Sequence, residues 1–138
     1  MPDTSRYVVL PNEVETLAFD WGRLTVTCSA EVNGAASFSA GLVVMQPGAG
    51  HGRHNHPGAE EIIHVISGSG EQMVEDEDGK PIVWPVGPGA TIFVPESRFH
   101  STRNTGDGSM TVFVVYAPAG PEAFMRTLPD CRIVPPSG

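Results

Sequence analysis

Basic residues are scarce in this sequence: Lys and Arg total 8 against 16 Asp and Glu, for a formal net charge of -8. Nucleic-acid binders draw most of their affinity from cationic groups that neutralise phosphates. An acidic chain of this kind excludes DNA and RNA as expected partners. Long apolar runs are missing as well. The longest, such as Gly41–Met45, are far short of the roughly 20 residues that cross a bilayer as a helix, so no membrane span is expected. Cysteine is nearly absent. Cys28 and Cys131 are too few for a disulfide framework and too far apart in sequence for a metal-ligand pair; they read as reduced, buried side chains. Met1 to Arg6 lack the apolar core of a secretory signal, and a cytoplasmic location is expected.

Residues that turn the chain are plentiful. The 16 Gly and 13 Pro make about a fifth of the sequence, high against average usage, and they are spread out so as to punctuate short strands. Helical periodicity is almost missing. Strand-like runs recur at Arg6–Leu10, Glu15–Trp21, Leu24–Ser29, Ser37–Met45, Glu60–Ser67, Glu71–Glu75, Pro81–Trp84, Thr91–Val94 and Met110–Ala117. Turn signals such as Asn33-Gly34, Pro47-Gly48, Asp78-Gly79 and Asn104-Thr105-Gly106 separate them. The pattern predicts one all-β domain over residues 1–138, an antiparallel sandwich or barrel. One helix candidate lies around Gly120–Thr127. The acidic stretch Glu75–Asp78 lacks the alternating spacing of a calcium loop and reads as a solvated hairpin turn closed by Gly79.

Chemistry concentrates between Gly48 and Gly68. Residues two apart in an extended strand face the same way, so His54 and His56 present both imidazoles to one face. Glu61 follows the Pro57-Gly58 turn and opens the next strand, from which it can return to that face. Two neutral imidazoles and a carboxylate suit a first-row divalent metal. His100, beyond a strand that ends at Pro95, offers a further imidazole.

These residues resemble the two conserved motifs of the cupin superfamily. Gly48, five residues, His54-x-His56, four residues, Glu61, six residues and Gly68 are similar to the first. Gly89, five residues, Pro95, four residues, His100, three residues and Asn104 are similar to the second. Ser97 stands where the second motif has a glycine, a departure that bears on the turn before His100 and leaves the ligand untouched. The resemblance implies a single cupin barrel domain, a jelly-roll-like antiparallel β-barrel, with motif 1 at residues 48–68 and motif 2 at residues 89–104. It also implies an N-terminal strand arm at residues 1–14, of the kind small cupins exchange with a partner.

The resemblance further implies one divalent transition metal, iron or manganese ahead of nickel, cobalt or zinc, held by His54, His56, Glu61 and His100. The six-residue gap to Gly68 selects Glu61 over Glu60. Strand alternation agrees, with Glu61, Ile63 and Val65 facing inward and Glu60, Ile62 and His64 outward. Beside the metal, His51, Gln72 and Arg98 are the candidates for substrate contact: His51 as acid or base, Gln72 by its inward parity, Arg98 as partner of a substrate carboxylate. Phe99, Phe113, Tyr116 and Met45 are candidate wall residues.

An outward face of Ile62, His64 and Ile66 is too apolar for solvent, which points to a covered surface and a homodimer. The function implied is a metal-dependent enzyme acting on a small oxygen-rich molecule, a dioxygenase-type oxidoreductase first. Redox-neutral isomerase, cyclase, decarboxylase or lyase chemistry is the alternative, and non-catalytic small-molecule or sugar binding a third class.

Overall fold

A computed structural model describes residues 2–138. Strands β1 (Thr16–Phe19) and β2 (Gly22–Cys28) form a hairpin, and a one-turn helix α1 (Ala30–Asn33) leads into β3 (Ser39–Met45). Then follow β4 (Gly50–His54), β5 (Glu60–Ser67), β6 (Gly70–Glu75), β7 (Pro81–Val86), β8 (Thr91–Val94), β9 (His100–Asn104) and β10 (Met110–Ala117). A short helix α2 (Pro121–Met125) and β11 (Arg132–Val134) complete the order. One sheet runs β11-β1-β2-β3-β10-β5-β8 and the other β4-β9-β6-β7, with antiparallel pairing throughout. This is the expected all-β, jelly-roll-like barrel. No helix among the described residues is long and apolar enough to cross a membrane.

Alternation sets which side chains fill the barrel. On β5, Glu61, Ile63 and Val65 are buried while Glu60, Ile62 and Ile66 are exposed. On β10, Met110, Val112, Val114 and Tyr116 face the same interior, joined there by Leu24, Val43 and Met45. Each such burial contributes about 1.5–3 kcal/mol. A slip of β5 by one residue would expel the whole set together with Glu61, so the apolar pattern fixes the carboxylate's direction. Strand β9 is held close between its neighbours. A Cβ on Gly50 would stand 2.3 Å from Thr102 O, and one on Gly70 2.2 Å from Arg103 O; only glycine permits both approaches.

Several expectations are corrected. Arg6–Leu10 forms no strand. The outer edge of β1 is already paired with β11, which leaves the arm no ladder within its own chain, and Tyr7 and Val8 stand exposed. Strands β9 and β11 and helix α1 were not expected, and the extended strand expected to carry both His54 and His56 ends at His54 as β4. Helix α1 forms because Ser29 Oγ accepts from Val32 N (3.2 Å) at its start and Gly34 closes it at φ 78°. The two cysteines are free but half-buried.

Ser97 shows how the missing motif glycine is accommodated. It adopts φ 61°, the left-handed region glycine would occupy. Its hydroxyl oxygen accepts from Gly58 N at 2.9 Å and its carbonyl accepts from Asn55 Nδ2 at 3.1 Å. The serine side chain therefore ties the turn before His100 to the turn between His56 and Glu61. Ser97→Ala keeps the unfavourable φ and loses the tether, and urea denaturation should show a loss of about 1 kcal/mol. Ser97→Gly relieves the φ, worth about 1 kcal/mol, and should unfold close to wild type. An alanine variant as stable as wild type would show that the tether contributes nothing.

Candidate metal centre

The site lies where the barrel interior turns polar, and both sheets supply it. Strand β5 carries Glu61, β9 carries His100, β4 ends at His54, and His56 follows in the loop toward the Pro57-Gly58 turn. One donor atom from each of His54, His56, Glu61 and His100 falls within 4.8 Å of all the others. Glu60, the rival carboxylate, is exposed. His64 lies on the outer face, with its Nδ1 2.8 Å from Thr91 Oγ1.

Backbone carbonyls decide which ring nitrogens face the cluster. His54 Nδ1 lies 2.6 Å from Gly52 O, and His100 Nδ1 lies 2.9 Å from Arg98 O. A carbonyl only accepts, so each Nδ1 carries the proton and each Nε2 keeps a lone pair. His100 Nε2 then stands 2.9 Å from Glu61 Oε1, and His56 Nε2 stands 3.4 Å from the same oxygen. All three atoms are buried, and none makes a hydrogen bond of acceptable alignment. For His100 and Glu61 this places acceptor against acceptor, a contact that becomes favourable only when a proton or cation lies between. Three imidazoles and a carboxylate converging in this way can hold a divalent metal.

The charge states agree. Burial, reinforced by the neighbouring His51 and His100, lowers His54 to about 2. Burial and the adjacent His56 and His100 lower His51 to about 3. Both rings are uncharged at neutral pH.

His51 enters the centre by a route that alternation does not predict. A register shift between His51 and His54 in the β4–β9 pairing lets residues three apart share one side. The His51 ring stacks on His54 at 3.5 Å and on Trp21 at 4.0 Å, and Trp21 stacks in turn on Phe19. Gln72 and Arg98 do not join the centre. Gln72 is fully buried, but its Oε1 accepts from Thr102 Oγ1 (2.5 Å) and its Nε2 donates to Met73 O. It faces, with Arg98, a separate crevice of about 550 Å³ between β7 and β8. Arg98 Nη1 donates to Glu75 O.

The cavity at the centre is about 30 Å³, room for one or two water-sized groups. Its walls include Val43, Ile63, Val112 and Val114, with Met45 and Tyr116 as expected and Trp21 and Thr102 not foreseen. Phe113 pairs with the outward His64, and Phe99 lies instead beneath Arg53. The unforeseen pair did have a period-2 signal: Trp21 continues Leu17 and Phe19, and Thr102 continues His100. Burial pushes the Tyr116 phenol well above its ordinary range, and Glu61 adds to the shift.

Comparison with known proteins places the chain. The Cupin domain family model matches residues 41–116. The chain is 29% identical over 115 residues to Polyketide synthase CurC of Streptomyces cyaneus, covering 83% of this chain and 71% of that protein. It is 34% identical over 63 residues to Glucose-6-phosphate isomerase of Thermococcus kodakarensis, covering 46% of this chain and 33% of that protein. Among solved structures, the oxalate decarboxylase of Lactobacillus farciminis in complex with formate superposes with a TM-score of 0.72 at 22% identity. That match covers 86% of this chain and 36% of the decarboxylase, so the chain spans about a third of those two proteins.

Removing a convergent imidazole should abolish tight metal binding. His56→Ala is expected to weaken it more than ~100-fold, since loss of an outer hydrogen-bond partner alone costs 10–100-fold. His64→Ala should bind as wild type. Competition against a fluorescent chelator reads both, and equal loss in the two variants would overturn the ligand set.

Proposed function

The chain belongs to the cupin domain family, and from that membership we propose a metal-dependent enzyme acting on a small, oxygen-rich organic molecule. The observation that carries the proposal is the set of buried, unpaired atoms of His56, Glu61 and His100, which converge with His54 at the head of an apolar cavity. In the proposal these four residues hold one divalent ion, iron or manganese first. Such an ion would supply Lewis acidity and, where it can change oxidation state, access to dioxygen chemistry.

The protein's share of the work follows from its own groups. Gly52 O and Arg98 O fix the His54 and His100 rings in the coordinating tautomer. His51, uncharged and stacked between Trp21 and His54, braces His54 and forms part of the cavity wall. Val43, Ile63, Val112 and Val114 exclude water, which strengthens every polar contact inside. Gln72 and Arg98 line the separate crevice rather than the cavity of the metal centre, so the proposal gives them no contact with a substrate at the ion.

Oxygen-dependent cleavage is the first reading. A small apolar cavity beside the ligand set suits a diatomic molecule better than bulk water. Redox-neutral carbonyl chemistry is the second reading; one similar protein is named a Glucose-6-phosphate isomerase. We also propose that the functional unit is a single domain working as a homodimer. Phe93, Ile62 and Ile66 leave an apolar outer face exposed at 57, 45 and 49%, and the unpaired Tyr7 and Val8 add to the uncovered apolar surface.

Elemental analysis of protein purified without added metal should find roughly one iron or manganese per chain. An oxygen electrode with catechols and 1,3-diketones should then record consumption. Turnover under strict anaerobiosis would select the redox-neutral reading, and failure to take up any metal on reconstitution would end the enzyme proposal. In sedimentation, the wild type should run as a dimer and Phe93→Lys as a monomer; a monomeric wild type would overturn the assembly.

A further inference from the structure

The barrel stands open along one side. Strand β7 ends the smaller sheet and β8 ends the larger, and neither outer edge is paired among the described residues. On β7, Ile82 and Trp84 lie opposite Val74 and Gln72 of β6 and so share their inward direction. Val74 and Gln72 are buried at 8 and 0%, whereas Ile82 and Trp84 are exposed at 40 and 46%. Two apolar side chains thus have the parity of the core without its burial, because an open space lies in front of them. That space is the crevice of about 550 Å³ between β7 and β8, where Val86 and the inward Ile92 complete the apolar walls. Its size falls within the ~300–1,000 Å³ of small-molecule pockets, which likewise combine apolar walls with a few polar groups.

One of its polar groups lacks a counter-charge. Arg98 lines the crevice half-buried, and its Nη1 donates to Glu75 O at 3.0 Å, the one hydrogen bond its guanidinium makes among the described residues. It takes part in none of their ion pairs. The two acids on the rim are engaged with other groups. Glu75 accepts from Arg53 Nε and Nη2 at 2.5 and 3.1 Å, and Asp76 Oδ1 accepts from Asp78 N and Lys80 N at 2.9 Å each. A guanidinium offers five N–H donors in a planar fork, so most of those of Arg98 remain for a ligand. In a chain with 16 acids and 8 bases, an arginine without a carboxylate beside an open apolar crevice is a selective feature.

We propose that this crevice binds a small aromatic monocarboxylate, its ring against Trp84, Ile82 and Ile92 and its carboxylate on the free donors of Arg98. The fork of arginine matches a planar carboxylate better than an alcohol, and the indole face of Trp84 suits a flat ring. Glu75 and Asp76 on the rim disfavour a second negative charge on the ligand. The site is distinct from the metal centre and independent of what that centre holds. The two cavities share no lining residue, and the hydrogen bond from Thr102 to Gln72 joins the wall of one to the wall of the other.

The test uses the full chain as purified, with 2-naphthoate as probe and 2-naphthylmethanol as its uncharged counterpart, both followed by calorimetry. The wild type should bind the naphthoate about 10- to 100-fold more tightly than the alcohol, the range for a hydrogen bond to a charged group. Arg98→Gln should remove that preference and leave the alcohol's affinity unchanged, Trp84→Ala should weaken both probes, and His56→Ala should bind both as wild type. Equal affinity of the wild type for the two probes would overturn the carboxylate assignment without recourse to any variant. Naphthoate binding lost in His56→Ala but kept in Trp84→Ala would put the probe at the metal centre and overturn the crevice as its site. A wild type that binds neither probe would overturn the proposal outright. A wild-type dimer that Trp84→Ala dissociates in sedimentation would make the crevice a contact between copies and overturn the small-molecule occupant.

Discussion

The contact between Glu61 and His100 ties the two sheets together at the polar end of the barrel, and the surrounding structure is arranged around it. The carboxylate comes from β5 in the larger sheet and the imidazole from β9 in the smaller one. Because Arg98 O claims the Nδ1 proton, the two atoms that face each other at 2.9 Å are both acceptors. A buried polar atom without a partner costs about 1–3 kcal/mol, and three lie at this point. Together they are a large fraction of the roughly 5–15 kcal/mol by which a domain is stable. A cation that satisfies all three at once turns this penalty into binding energy. Under the metal proposal, ion binding and folding would be linked, and the ion would stabilise the fold by mass action.

What supports that contact is mostly unremarkable packing. Alternation along β5 and β10 fixes which face is buried, and Glu61 points inward because Ile63 and Val65 do. This part of the structure was legible: the boundaries of β5, β8 and β10 match the apolar runs closely, and the parity that separates Glu61 from Glu60 needs nothing beyond the period of a strand. The gathering of His54, His56, Glu61 and His100 was implied by the resemblance to the cupin motifs, and the strand-period argument for the two histidines does not describe how they meet. His54 and His56 do not share a face of one strand, since β4 ends at His54 and His56 reaches the cluster from the loop.

Features that depend on irregular pairing or on competition between segments were not legible. The shift between His51 and His54 breaks the period of two, and no single-residue propensity announces it. Strand β9 reads as polar because His100, Thr102 and Asn104 fill its inward positions. Asn104 is fully buried and bonds Met45 O and Gly108 O through its amide, a role invisible without the chain that surrounds it. The arm at Arg6–Leu10 has strand-like residues, but β11 occupies the edge it would need. Gln72 has the parity to face inward and is buried. It is lost to the metal centre because Thr102 claims its carbonyl oxygen, a matter of side-chain pairing rather than of pattern.

The same competition for partners gives the cavity its selectivity. Around the centre, protein groups consume nearly every donor: His54 and His100 give their Nδ1 protons to the backbone, and Thr102 gives its proton to Gln72. What remains turned inward is a set of lone pairs on Glu61, His56 and His100. In the metal proposal, lone pairs gathered in this way would select for a cation. Discrimination of this kind rests on groups left unsatisfied when the wrong ligand enters, and it exceeds what shape alone achieves in an apolar pocket. The cavity is small because Val43, Ile63, Val112 and Val114 close it, and the stacked rings of Trp21 and His51 form a further part of its wall.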